Sequence, residues 1–206
     1  MPSSPARLFV IAAPSGAGKT TLVKALTRRN PELRFSISYT TRKQRRTEVD
    51  GSDYIFVDTD EFERLRAAGA LLESAQVFDN YYGTSREQVE QHLAAGHHVI
   101  LEIDWQGAQQ VRKAKPDCTT VFILPPSRAE LERRLRSRGT DSDEVIERRL
   151  RDALSDMSHW DEFDHVIFND DLDQAVADLE AVLAGRGANS ATTRPAVASA
   201  AKQLLA

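Results

Sequence analysis

The chain has 206 residues, 41% of them hydrophobic, with a formal net charge of -4 and a pI near 5.8. That length supports one sizeable core with room for inserted subdomains, without clearly making two domains. The acidic balance argues against a protein whose main partner is a nucleic-acid backbone, because such domains carry a strong basic excess.

A single cysteine, Cys118, excludes an internal disulfide, and no Cys/His group has zinc-ligand spacing. A reducing cytoplasm is the expected compartment. The apolar stretch before Pro14 has the length of a core strand and is too short for a signal or membrane segment. No membrane-spanning element is expected.

In chain order, LFVIA at 8–12 reads as a buried strand, followed by a glycine-rich turn and a helix-forming stretch, KTTLVKALTRR. Residues 36–86 hold short strands (FSISY, DYIFV, LLESAQV) between polar turns, with one helix, DEFERLRAA, capped by Asp58 or Thr59. This stretch reads as an inserted β-rich lobe. HHVILEID at 97–104 and TTVFIL at 119–124 return to short apolar strands followed by helix-forming sequence. Strands apolar throughout are those of parallel sheets covered by helices.

Residues 127–160 carry the dense run RRLRSRGTDSDEVIERRLR, read as a helical hairpin broken at Gly139-Thr140 with a positively charged inner face. HVIFN at 165–169 is the last strand, and Leu172, Val176, Leu179 and Leu183 then fall at helical spacing up to a stop at Gly185. Residues 186–206 are rich in Ala, Ser and Thr, and a poorly ordered tail with at most a short terminal helix is expected there.

The stretch AAPSGAGKT at 12–20 carries the chemistry most plainly. A phosphate-binding loop needs backbone N–H groups aimed inward, a helix N-terminus, a lysine and a hydroxyl for Mg²⁺. Gly16 and Gly18 supply the turn, Lys19 the ammonium and Thr20 the hydroxyl. Ala13 replaces the first glycine of the pattern, which is tolerable where its φ is negative, and Pro14 pushes it towards an extended conformation.

Such a loop does not name a reaction, so the second substrate must be sought in the lobe. There, SYTTRKQRR, DGSDY, LLE and NYYGTS follow one another. Arginine gives bidentate bonds to a phosphate monoester, and tyrosine gives a neutral donor on a stiff arm. A glutamate with Ser/Thr hydroxyls suits a guanine edge, whose N1–H and exocyclic amine are donors.

The motifs APSGAGKT, FSISYTTR, DGSDYIF, NYYGTS, LEIDWQGA, RLRSRGTDS and NDDLDQA, in this order from about Arg7 to about Ala184, resemble the guanylate kinase family of P-loop nucleoside monophosphate kinases. The resemblance implies an α/β fold: a P-loop NTPase three-layer core with a parallel sheet, an inserted β-rich GMP-binding lobe and a helical lid, together spanning about residues 5–185. It implies phosphorylation of GMP by ATP with Mg²⁺, within purine nucleotide metabolism and GMP recycling.

By that resemblance, the GMP phosphate is held by Arg42, Arg45, Tyr54 and Tyr82. The guanine is read by Ser38, Glu73 and Thr84, with Asp104 beside it. ATP is bound by Ala13, Pro14, Ser15, Gly16, Ala17, Gly18, Lys19, Thr20 and Thr21, with Arg134, Arg138 and Asn169 around the adenine and phosphates. Thr20 serves Mg²⁺, and Lys19, Arg42, Arg138 and Arg149 act on the transferred phosphoryl group. Glu102, two residues before Asp104 and on the same strand face, is a candidate to hold a Mg²⁺-bound water. Arg133, Arg136, Arg148 and Arg151 have no such match and are expected to be solvated or paired with nearby acids.

Taken singly, Tyr54 and Tyr82 could be lobe aromatics, and the 42–46 basic run a solvated strand edge. Taken together behind an intact loop, they favour function. An inactive guanylate-kinase-like module that binds a phosphorylated peptide is disfavoured by Lys19-Thr20 and by the little room for accessory modules. A kinase for another nucleoside monophosphate is disfavoured by Glu73 with Ser38 and Thr84. The expected partners are therefore ATP and GMP, with no nucleic acid or membrane, and a homo-oligomer is compatible with the sequence.

Overall fold

Five consecutive apolar residues, LFVIA, form the first strand, and all five are buried. The computed structural model describes residues 5–77, 79–137 and 142–206. In chain order its elements are β1 (Leu8–Ala12), α1 (Lys19–Arg29), β2 (Arg34–Phe35), β3 (Ser38–Thr40), β4 (Ile55–Phe56), α2 (Thr59–Ala67), β5 (Leu71–Val77), β6 (Asn80–Ser85) and α3 (Arg86–Ala94). They continue as β7 (Val99–Glu102), α4 (Trp105–Ala114), β8 (Thr119–Leu124), α5 (Arg128–Arg136), α6 (Asp143–Met157), β9 (His165–Phe168), α7 (Leu172–Leu183) and α8 (Pro195–Leu205).

The chain forms two compact units, and the boundary runs through β1. One contains the chain up to Val10 together with Pro31–Cys118; the other contains Ile11–Asn30 and Thr119–Ala206.

In the first unit, β7 lies between β1 and β2, and β2 pairs with it in parallel, Arg34 opposite Val99. A separate four-stranded sheet has the order β4-β3-β6-β5. The expected single strand FSISY therefore belongs to two sheets, with Phe35 in β2 and Ser38 in β3. Gln88 makes the switch possible: its Oε1 accepts from the Ser36 hydroxyl (3.1 Å) and from the Ile37 N–H (2.8 Å), so the polar groups between the strands are satisfied. Alternation of residue types carries no sign of a change of partner strand. The helix DEFERLRAA is capped by Asp58, whose side chain accepts from the Glu61 N–H at 2.7 Å.

In the second unit, β8 lies between β1 and β9, and β8 pairs in parallel with β9, Val121 opposite His165. Phe122, Ile123 and Leu124 are fully buried on β8; each such side chain contributes about 1.5–3 kcal/mol relative to exposure. The strands of the sheet that contains β1 thus carry the apolar core, as the uniform strands predict. The helical hairpin forms as α5 and α6, with Leu131, Leu135, Ile146 and Ala153 buried; the break at Gly139-Thr140 lies outside the described residues. Arg133 pairs with Glu130, Arg136 with Glu132 and Asp143, and Arg148 approaches Asp152.

The expectation of a poorly ordered tail over 186–206 is corrected. Residues Gly187–Ser190 form a short 3-10 turn, Ala191 bridges to His165, and α8 runs for 11 residues. Two signals explain it. Pro195 stands at the first helical position, where its fixed φ suits a helix start, and alanine is the best helix former. Val197 and Ala201, four apart, bury one face, and Arg128 Nε donates to the Leu204 carbonyl at 2.8 Å, satisfying an end of the helix.

Candidate functional site

β1 leads into the glycine turn at residues 13–18, where Gly16 (φ 89°) and Gly18 (φ 90°) both occupy the left-handed region that side chains resist. Space excludes other residues as well. A Cβ on Gly16 would stand 2.9 Å from Leu131 Cδ1, and one on Gly18 would collide with Asn169 Nδ2. Gly18 caps α1 without a side-chain hydrogen bond to the first turn, so the helix opens directly from the loop into Lys19, Thr20 and Thr21. A helix start of this kind favours anions through its N–H groups.

The carbonyl of Ala17 accepts from two side chains, Asn169 Nδ2 at 2.8 Å and Arg134 Nη1 at 3.2 Å. Arg134 Nη2 also donates to the Asn169 carbonyl (3.0 Å), and its Nε to Glu130 Oε1 (2.7 Å). Because the peptide is planar and trans, fixing the Ala17 C=O fixes the Gly18 N–H in the opposite direction. Asn169 and Arg134 therefore shape the loop backbone, a role that sequence reasoning did not find. Arg134 and the nearby Arg133 hold the half-buried Glu130 carboxyl down at about 2, Arg133 contributing most. Arg149 lies half-buried on α6, and Arg138 falls outside the described residues.

In the lobe, strand register brings three predicted residues into one row. Ser38 on β3 is opposite Thr84 on β6, and Thr84 is opposite Glu73 on β5. Directly opposed residues share a sheet face. Glu73 is 4% exposed and Thr84 fully buried, and the Thr84 hydroxyl donates to Glu73 Oε1 at 2.7 Å. A β-bulge between Leu71 and Glu73 redirects the chain here. Asp104 caps α4, its Oδ1 accepting from the Gly107 N–H at 2.7 Å.

Tyr82 lies two residues before Thr84 on β6 and so shares its face. Its ring meets Tyr54 edge-on at 6.0 Å, and the Arg42 guanidinium lies 5.3 Å from the Tyr54 ring centre. Arg42 Nη2 donates to Glu48 Oε1 at 2.7 Å, and Glu48 Oε2 accepts from the Arg45 N–H at 2.8 Å. Hydrogen bonding to Glu48 above all raises the Arg42 guanidinium, while Arg42 above all lowers the Glu48 carboxyl. Burial first, and then the charge of Glu102, pushes the Tyr54 hydroxyl up, so it stays a neutral donor. Arg45 extends its side chain into solvent. Glu48 is the residue missed in sequence; the signal was one acid just after the basic run 42–46.

A buried strand running into a two-glycine turn, a Lys-Thr helix start and a parallel sheet define a P-loop α/β protein that binds nucleotides. The family model described as guanylate kinase matches residues 5–186. A guanylate kinase of Alkalilimnicola ehrlichii is 51% identical over 98% of this chain and 99% of its own. One of Methylococcus capsulatus is 57% identical over 85% of this chain and 86% of its own. The crystal structure of guanylate kinase from Anaplasma phagocytophilum, 33% identical, superposes with a TM-score of 0.76 over 91% of this chain and 89% of that one. The chain belongs to the guanylate kinase family, and it is a phosphotransferase. Among the described residues, no helix is long and apolar enough to cross a membrane.

Proposed function

We propose that this chain transfers the γ-phosphoryl group of ATP to the phosphate of GMP, giving ADP and GDP. The observation that carries the choice of acceptor is the row Ser38, Thr84 and Glu73, with the buried carboxylate held by the Thr84 hydroxyl. A carboxylate accepts, and guanine offers it two donors, N1–H and the 2-amino group; adenine presents an acceptor at N1 and no 2-amine. Asp104, the cap of α4, is the second carboxylate assigned to the base.

Arg42, Tyr54 and Tyr82 are assigned to the GMP phosphate, supported by their mutual packing and by the neutral state of Tyr54. Glu48 holds Arg42 ready. Arg45, exposed beside them, is assigned to the same phosphate.

On the donor side, residues 13–21 cradle the phosphates of ATP, with Lys19 supplying charge, and Asn169 and Arg134 keep the Gly18 amide directed away from themselves. Mg²⁺ is bound to proteins mostly through few side chains together with phosphates and water, and a single hydroxyl, Thr20, in the first turn of α1 fits that demand. Bound Mg²⁺ supplies neutralisation of charge on the phosphate oxygens.

The transition state of phosphoryl transfer is loose, so positioning and electrostatic stabilisation carry the rate, and no covalent enzyme intermediate is needed. Lys19, Arg42, Arg138 and Arg149 are assigned to the charge of the transferred group. The single cysteine, Cys118, is buried and fits a reducing cytoplasm. A coupled assay of ADP formation with GMP, AMP, CMP, UMP and dTMP as acceptors tests the proposal.

A further inference from the structure

Gly107 is the third residue of α4 and is buried, yet its φ lies outside the left-handed region, so its backbone would accept an L-residue such as alanine. Space is what calls for glycine. A Cβ there would stand 2.6 Å from Glu73 Oε2, 3.2 Å from Glu73 Cδ and 3.3 Å from Asp104 Oδ1. All three neighbours are side-chain atoms, and the tightest belong to Glu73.

β5 is not free to retreat from the helix. The amide of Gln110 holds Ser74 at two points, accepting from the Ser74 N–H at 3.1 Å and donating to the Ser74 carbonyl at 2.8 Å. Gln110 and Gly107 are three residues apart and share a helix face. One therefore fixes the strand against α4 next to Glu73, and the other leaves the slot into which the Glu73 carboxylate fits. An added methyl would have to move the carboxylate, while the helix itself would lose nothing, since alanine forms helix better than glycine.

We propose that Gly107, backed by the Gln110 clamp, is a specificity-determining positioning residue that sets guanine selectivity by fixing where the Glu73 carboxylate stands. The inference rests on the guanine-reading role assigned to Glu73 above. A displaced carboxylate loses its fit to the 2-amino group, and inosine monophosphate, which lacks that group, reports the loss.

The test compares kcat and KM for GMP and inosine monophosphate in the unsubstituted enzyme, Gly107→Ala, Glu73→Gln and the double variant. Gly107→Ala is expected to lower the GMP-to-inosine-monophosphate ratio of kcat/KM about tenfold, through KM for GMP. Its Tm should be no lower than that of the unsubstituted enzyme, and KM for ATP should be unchanged. In the Glu73→Gln background, Gly107→Ala should lower the ratio no further, because both act through one carboxylate. Gln110→Ala, which adds no atom to the slot, should move the ratio in the same direction. An unchanged ratio, additive effects in the double variant, or equal losses for both substrates with a lowered Tm would overturn the inference. Turnover of GMP by the unsubstituted enzyme separates two failures: without it the guanine reading falls and this inference with it, whereas with it an unchanged ratio removes only the role of Gly107.

Discussion

The Thr84 hydroxyl donates to Glu73 Oε1 over 2.7 Å between neighbouring antiparallel strands, with Glu73 only 4% exposed. Burying a carboxylate is costly unless it is hydrogen-bonded, so its place in the lobe calls for an account. Thr84 supplies part of that account, and under the proposed function the guanine edge would bring two further donors to the same carboxylate.

Glu73→Gln tests this directly. The amide turns one acceptor into a donor facing the donors of guanine, and the ratio of kcat/KM for GMP over AMP should fall by about tenfold or more. An unchanged ratio would remove Glu73 from the base-reading set.

The Arg42–Glu48 pair carries a pH signature. Arg42 lowers the Glu48 carboxyl below its ordinary value of 4.5. For a group lowered by folding, the stabilisation is fully present above the ordinary value and is lost as pH falls through the lowered one. The Tm difference between the unsubstituted enzyme and Glu48→Gln should therefore stay constant from about pH 8 to about pH 5 and close only in more acidic solution. Thermal melts across that range check it, and a difference that varies between pH 5 and 8 would mean that another group governs the pair.

The loop should separate binding from chemistry. Asn169→Ala removes one of two donors from the Ala17 carbonyl, and the loss of a typical hydrogen bond costs about 1 kcal/mol, or roughly a fivefold rise in KM for ATP. KM for GMP should not follow. Lys19→Ala removes the charge proposed to act in the transition state and should lower kcat by about 10² to 10³ or more, while GMP affinity by titration stays largely intact. A near-normal kcat in that variant would contradict the role of the loop.

Sequence made the core legible because its strands are apolar throughout: LFVIA and TTVFIL became β1 and β8 with the boundaries expected. The helix KTTLVKALTRR likewise became α1 over its full length. FSISY was misleading because the side-chain period does not change when a strand leaves one partner for another, and only the Gln88 amide marks the switch. The tail was misleading because small residues were weighed as poor core formers, whereas Pro195 and the alanines mark a helix that needs only Val197 and Ala201 to pack. In the site, residue types pointed to a glutamate with Ser/Thr hydroxyls and the family resemblance to Glu73, Thr84 and Ser38, but their common row follows from register, which sequence does not display. The grip of Asn169 and Arg134 on Ala17 is a long-range contact with no local pattern at all.

The most direct measurement is ADP formation from ATP and Mg²⁺ with each of GMP, AMP, CMP, UMP and dTMP as acceptor. GMP should be the preferred acceptor by about 10³-fold or more in kcat/KM, as expected where buried polar groups are matched by one base and left unpaired by the others. Absence of turnover with GMP, or a comparable kcat/KM with AMP, would contradict the account.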